Sequence, residues 1–277
     1  MKKIRIAGNK KSELLSVSTP MAKRNWALVK IIVSPMCTEY KSWENGDKCE
    51  CLGHEAAGEV VDVSPDDEYL EAGDRVVVMP QYACGKCELC NQGDYIYCEN
   101  DIDFKTFTAS DEGNETYAQY ILKPTWLLPR IPDHISYEHA SMLCCGLGPA
   151  FGAMEQMGAG SFDTVLITGL GPVGLGGIIN GKYRGARVIG VSRNNYRNKL
   201  ASDLKANMIL DPDDPEINQK IIEYTNGRGV DMSIDCSGDE RAQLLCIHST
   251  RRRGQVAFVG ESGNLTVEVS DQLIRKG

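Results

Sequence analysis

Cys84, Cys87, Cys90 and Cys98 follow one another as C-x2-C-x2-C-x7-C. Thiolates bind metal, and a closed structural zinc site needs four of them converging tetrahedrally at about 2.3 Å. Two-residue gaps let a turn bring successive sulfurs to one point, with Gly85 and Gly93 supplying backbone freedom. Iron–sulfur clusters also take four cysteines, but their usual runs are spaced differently and carry a proline. Zinc is the expected ion. With all four positions filled it holds a loop and does no chemistry.

A second pattern points to a dinucleotide. Val165-Leu-Ile-Thr-Gly169-Leu-Gly171-Pro172-Val173-Gly174 is an apolar strand running into G-x-G-x-x-G and then an apolar helix. Gly169 allows the tight turn, Gly171 lets backbone approach a pyrophosphate, and Gly174 permits close helix–strand packing. The first turn of the helix, with Pro172 and Val173, then faces the phosphates. About 20 residues on, an Asp or Glu would bind a ribose 2′-hydroxyl. Here the next strand ends in Ser192-Arg193, with Arg197 four residues later. A hydroxyl and two guanidinium groups suit a 2′-phosphate that a carboxylate would repel. The expected cofactor is NADP(H) over NAD(H).

A third set is scattered. Cys37, the Gly53-His54-Glu55 run and Cys144-Cys145-Gly146 all hold ligand-type side chains. A catalytic zinc needs three protein ligands and an open fourth position. No local spacing proves that these residues meet, and each alone reads equally as a packed thiol or a satisfied histidine. His134, His139 and His248 take no role.

Two kinds of element must position these groups. Up to about residue 140 the chain has short β-like runs, Lys3–Ala7, Leu28–Val33, Gly58–Val63, Arg75–Met79 and Tyr117–Leu122, rich in Val, Ile and Tyr. They predict a mostly antiparallel β domain with long loops, one of them Glu99–Thr116. Beyond it, strands (Asp163–Thr168, Arg187–Val191, Met208–Leu210, Asp231–Asp235, Gln255–Val259) alternate with helices (Pro172–Arg184, Tyr196–Leu204, Glu216–Tyr224, Glu240–Ser249). Alternation of that kind predicts βαβ units on a parallel sheet. The expected domains are 1–140 and 141–277.

Length and composition agree. At roughly 150 residues per domain, 277 residues make about two. A hydrophobic share of 42% and a charged share of 25% exclude disorder as the dominant state. A net charge of −8 argues against a nucleic-acid partner, and Arg251-Arg252-Arg253 reads as a solvated helix end before Gly254. The longest apolar stretch, Val165–Ile179, holds five glycines and a proline, too broken to span a bilayer. No continuous apolar run follows the basic Met1–Arg5 to make a secretory signal. The expected place is the cytoplasm, where clustered cysteines bind metal rather than pair.

The combination resembles the zinc-dependent medium-chain dehydrogenases/reductases, the alcohol, sorbitol and threonine dehydrogenase group. The resemblance covers essentially the whole chain. It rests on Met36-Cys37-Thr38-Glu39, Gly53-His54-Glu55-Ala56-Ala57-Gly58, Ala72-Gly73-Asp74-Arg75-Val76, the four-cysteine lobe, Cys145-Gly146 and the glycine loop. It implies an α/β protein, a GroES-like β-rich catalytic domain followed by a Rossmann doubly wound parallel sheet.

The resemblance further implies that Cys37, His54 and Cys145 bind a catalytic zinc, with Cys144 the runner-up and Glu55 an alternative ligand or supporting group. One catalytic and one structural zinc are then expected. Cys49, Cys51, Cys144, Cys236 and Cys246 remain without a role. In the family a proton-relay Ser or Thr stands two residues after the metal cysteine; here Thr38 follows at once, as if one residue were deleted. The implied activity is hydride transfer between NADP(H) or NAD(H) and a secondary alcohol, polyol or cyclitol and its ketone. The implied partner is that small molecule, in a homo-oligomer where the Rossmann edge is complete. Relatives continue past a segment like Leu265–Gly277 into a last strand and helices, which are expected to be missing here. The alternative reading is an inactive or regulatory cofactor-binding fragment.

Overall fold

The computed structural model describes every residue except Arg24, Glu50, Cys51 and Ser262. Cys51, one of the cysteines without a role, thus lies outside the described residues. The chain divides into two units, Met1–Cys144 and Cys145–Gly277.

Short valine-rich strands build the first unit. Its elements are β1 (Lys2–Gly8), β2 (Lys11–Ser16), β3 (Trp26–Val33), α1 (Glu39–Asn45), β4 (Ala56–Val63), β5 (Arg75–Val78), α2 (Glu88–Asn91), α3 (Phe104–Thr108), β6 (Tyr120–Pro124) and α4 (Tyr137–Ser141). β1 and β2 form a hairpin, and the main sheet runs β5-β4-β3-β6 with all neighbours antiparallel. Ala27, Val29, Val60, Val76, Val78 and Ile121 form its buried core. Each buried Val or Ile contributes about 1.5–3 kcal/mol through the water it excludes. β4 begins at the residue after Glu55, so the sheet holds the His54-Glu55 pair at a strand entrance.

Three details depart from the expectation. The run read as one strand over Tyr117–Leu122 is shared between two partners. Its first part meets the hairpin, where Ile4 N–H donates to Tyr117 O and Gln119 N–H to Lys2 O, and only Tyr120–Pro124 joins β3. The stretch read as a loop, Glu99–Thr116, contains α3, whose start is capped by Asp103 accepting from Thr106 N–H at 3.1 Å. Five residues are too few for a helical period to show. What holds α3 is Trp26 of β3, stacked on Phe107 at 4.6 Å and tilted against Phe104 at 6.0 Å. β2 and α1, short and mostly polar, also form where the sequence shows no periodic pattern.

The second unit is α5 (Gly148–Met157), β7 (Thr164–Thr168), α6 (Pro172–Tyr183), β8 (Arg187–Val191), α7 (Asn195–Asp203), β9 (Met208–Leu210), α8 (Ile217–Tyr224), β10 (Val230–Asp235), α9 (Glu240–Ser249) and β11 (Thr250–Phe258). The five strands are parallel in the order β11-β10-β7-β8-β9. This is the Rossmann-type α/β sheet that the alternation predicts. Val165, Ile167, Val188 and Ile234 pack under one layer, and Leu166, Ile189, Val191 and Val230 under the other. Burial on both faces explains why these strands read as unbroken apolar runs.

Arg251-Arg252-Arg253 is not a helix end. The run lies in β11, where pairing jumps from Val230↔Thr250 to Met232↔Gln255, so the arginines bulge out of the ladder. Arg251 Nε donates to Asp231 at 2.7 Å. Within Leu265–Gly277, expected to lead into a further strand, Val269–Ile274 instead forms a helical turn. Behind it, Lys276 Nζ donates to the carbonyls of Ile247, His248 and Thr250 at 2.7–2.8 Å, closing the C-terminus of α9. Among the described residues no strand follows β11.

Candidate active site

The sheet order of the second unit reverses beside β7: the chain moves outward to β8 and β9, then returns to β10 on β7's other side. Crevices at such a switch point, beyond the carboxyl ends of the strands, take ligands. A cavity of about 600 Å³ lies there. Gly169, Gly171, Ser192, Arg193 and Arg197 line it. Pro172, Val173 and Gly174 form the first turn of α6, with Gly171 as N-cap. Gly169 has φ +79°, and a Cβ there would meet Ser237 at 2.6 Å; a Cβ on Gly174 would meet the Gly169 carbonyl oxygen at 2.0 Å. The loop therefore closes only with glycine at both positions. Ser192 is buried, its Oγ accepting from Asn194 N–H at 3.1 Å. Arg197 Nη1 comes within 4.0 Å of where a Gly171 Cβ would stand.

The opposite wall is built by residues that carry no motif in the sequence. Cys236 and Ser237 follow β10, and Arg241, Leu245 and His248 come from α9. Asp235 shapes that turn, its carboxylate accepting from Thr168 Oγ1, Ser237 Oγ and N–H, and Gly238 N–H at 2.6–3.1 Å. The Ser237-Gly238-Asp239 turn with Asp239 as N-cap of α9 was the available signal.

In the first unit the four lobe cysteines meet, their sulfurs all within 4.8 Å of one another. Cys84–Cys90 and Cys87–Cys98 are each 4.0 Å apart. A tetrahedron with metal–sulfur bonds of about 2.3 Å needs edges of about 3.8 Å, so the donors fit zinc. Backbone N–H groups already point at the sulfurs, from Cys84 and Asn100 to Cys98 and from Cys90 to Cys87. The N–H groups of Cys90 and Glu99 draw the Cys87 thiol down to about 6, while burial pushes Cys90 up to about 12.

Cys37, His54, Glu55 and Cys145 also offer ligand atoms within 4.8 Å of one another. Cys37 lies in the loop after β3, and Cys145 is the residue just beyond the first unit, in the helical turn Leu143–Leu147 that carries the chain out of it. Glu55 is almost fully buried, and Ser34 Oγ donates to its carbonyl at 3.0 Å. Cys144 is not in the group. Its Sγ faces Val78 O at 3.8 Å, and burial and the Glu55 carboxylate push its thiol up to about 12. Thr38 is exposed at the N-cap of α1 and makes no capping hydrogen bond.

A residue outside the expected set organises this group. Glu39 Oε1 lies 2.6 Å from His54 Nδ1, and Oε2 accepts the Cys37 N–H at 2.9 Å. Binding Nδ1 leaves His54 Nε2 as the metal-facing atom. Burial pushes the Glu39 carboxyl up, but the His54 hydrogen bond and the Cys37 N–H outweigh it and hold the carboxyl below its ordinary value. A soft thiolate pair with imidazole and a carboxylate is a donor set for zinc.

Residues 23–133 match the alcohol dehydrogenase GroES-like domain, and residues 172–277 the zinc-binding dehydrogenase family. The chain belongs to the zinc-dependent medium-chain dehydrogenases/reductases. This dehydrogenase-family chain is 31% identical to L-threonine 3-dehydrogenase of Pyrococcus abyssi, over 96% of its own length and 77% of the relative's. It is 31% identical to D-arabitol-phosphate dehydrogenase of Enterococcus avium, over 94% of the chain and 75% of the relative. Among solved structures, 2R,3R-butanediol dehydrogenase of Bacillus subtilis superposes with a TM-score of 0.82 at 25% identity, covering 99% of this chain and 82% of that one.

Proposed function

We propose that this chain transfers a hydride between NADP(H), preferred over NAD(H), and a secondary alcohol, polyol or cyclitol and its ketone. One observation carries the reading: Cys37, His54, Glu55 and Cys145 converge in a chain that also holds a glycine-loop cavity. The names of the relatives, L-threonine 3-dehydrogenase and D-arabitol-phosphate dehydrogenase, support a hydroxyl-bearing small substrate. When bound, a zinc ion supplies Lewis-acid polarisation of the substrate oxygen and the nicotinamide carries the hydride.

The chain's own groups do the rest. Cys37, His54 and Cys145 hold the reactive metal, with Glu55 as alternative ligand, and the four lobe cysteines hold a structural one. Glu39 orients the His54 ring. Thr38, next to Cys37, is the hydroxyl assigned to moving the substrate proton. N–H groups at the start of α6 receive the pyrophosphate, and Ser192, Arg193 and Arg197 select the 2′-phosphate, since β8 ends without a carboxylate. The clustered cysteines suit metal binding in a reducing compartment, and we assign the chain to the cytoplasm on that ground. No helix among the described residues is long and apolar enough to cross a membrane. We assign a homo-oligomeric state on family grounds.

Metal analysis alongside NADPH and NADH titrations tests this. The expected result is two zinc ions per chain, tighter NADPH binding, and NADP-dependent turnover within a panel of secondary alcohols. A single zinc, lost on Cys84→Ser, removes the reactive metal from the proposal. A zinc-replete chain that binds NADPH but turns over none of the panel removes the hydride transfer.

A further inference from the structure

We propose that Tyr117 is a positioning residue of the Cys37/His54/Glu55/Cys145 metal centre, acting through Glu39; the inference rests on that group binding metal. The Tyr117 hydroxyl lies 3.4 Å from Glu39 Oε2 and 3.2 Å from Pro35 O, and its one hydrogen is shared between these two acceptors. Glu39 therefore has three donors around one carboxylate: His54 Nδ1, the Cys37 N–H and the Tyr117 O–H. Two of them belong to residues of the metal group. The carboxylate turns freely about its last bond unless both oxygens are held. Tyr117 and the Cys37 N–H hold Oε2, and that keeps Oε1 on the His54 ring.

The phenol can do this because its own place is over-determined. A Cβ on Gly53, the residue before His54, would fall 2.3 Å from Thr116 Oγ1 and 2.7 Å from the Tyr117 ring. The backbone entering His54 thus lies directly on Tyr117, with Gly53 in the left-handed region at φ +81°. Tyr117 N–H donates to Leu52 O at 2.9 Å and Tyr117 O accepts from Ile4 N–H at 3.0 Å. Two residues upstream, Glu115 is fully buried and reaches the buried Lys3 ammonium at 3.2 Å; Glu112 joins it at 2.7 Å. An ion triad, buried at Lys3 and Glu115 and half-buried at Glu112, therefore anchors the segment that presents the hydroxyl. Removing one partner of such a set is costly, so the anchor does not drift.

Tyr117→Phe keeps the ring and deletes only the hydroxyl, and Glu39→Gln is its companion. The whole chain is loaded with zinc, and release of each ion to a chromogenic chelator is timed; a parallel sample carries cobalt(II) for its visible d–d bands. Supporting partners of metal ligands contribute about 10–100-fold in affinity. The expected result is release of one ion about tenfold faster in Tyr117→Phe, and faster still in Glu39→Gln, with shifted cobalt bands. The lobe ion, held by four cysteines, should leave at the unchanged rate. Wild-type release from Tyr117→Phe beside accelerated release from Glu39→Gln overturns the role of Tyr117 while leaving the metal centre standing. A wild-type chain that takes up only the lobe ion overturns both.

Discussion

Replacing Ser192 by Asp should reverse the cofactor preference. Ser192 is 8% exposed at the end of β8, beside Arg193 and Arg197 in the cavity. Its Oγ accepts the Asn194 N–H at 3.1 Å, a bond that an aspartate oxygen can take over, so the turn into α7 survives. A carboxylate there meets the 2′-phosphate of NADPH. Two unit charges about 4 Å apart at an effective dielectric of about 20 repel by about 4 kcal/mol. Screening at an open cavity mouth reduces this by about half. A loss of about 2 kcal/mol is about 30-fold in NADPH affinity. NADH gains, because the carboxylate accepts from the free ribose hydroxyl, and a charged hydrogen bond contributes about 1.5 kcal/mol, about tenfold. The NADPH-to-NADH affinity ratio should therefore fall by about 300-fold, read by fluorescence titration of the purified protein with each cofactor. A folded Ser192→Asp variant whose ratio moves by less than about fivefold would refute the assignment of this position to the 2′-phosphate.

Three other substitutions probe separate parts of the structure. Cys98→Ser should lower zinc content by one ion per chain in elemental analysis, because Cys98 closes the tetrathiolate opposite Cys87. Retained zinc would mean the lobe is not a metal site. Gly174→Ala places a Cβ 2.0 Å from the Gly169 carbonyl oxygen, so it should cost about 1–3 kcal/mol in denaturant unfolding and weaken NADPH and NADH alike. Asp231→Asn should cost about 1.5–3 kcal/mol at neutral pH, since the carboxylate accepts from Arg251 Nε at 2.7 Å and Thr164 N–H at 2.8 Å. Burial pushes Asp231 up, but Arg251 and the Thr164 N–H hold its carboxyl below the ordinary 3.8. That stability is present above the unfolded value and is lost as pH falls through the folded one. In urea titrations wild type and Asp231→Asn should begin to converge as pH falls below 3.8 and meet only below the lower, folded value.

The second unit was largely legible because its signals are local and repeated. Each strand there is an apolar run buried on both faces, each helix is bounded by turn residues, and α9 begins and ends where the pattern places it, at Glu240 and Ser249. The first unit was less so. α3 exists because Trp26, far back in the chain, stacks on Phe107. Tyr117–Leu122 is one β-prone run that tertiary pairing splits between the hairpin and the main sheet. Neither fact is contained in a window of neighbouring residues.

The same division runs through the site. The lobe cysteines and the glycine loop span a few turns of chain, so spacing alone brings their chemistry together. Cys37 and His54 come from two loops and Cys145 from a helical turn far along the chain, and only the sheet that places β4 beside β3 lets His54 reach Cys37. Glu39 was hidden for a different reason. It stands two residues after Cys37, where a carboxylate looks like an ordinary first-turn helix residue favoured by the helix dipole. Its role appears only when His54 arrives from the loop before β4. A glutamate carries one more methylene than an aspartate, and that reach brings Oε1 to His54 while Oε2 still takes the Cys37 N–H. Glu39→Asp, one methylene shorter, cannot keep both contacts and should loosen His54, read as faster release of one zinc ion.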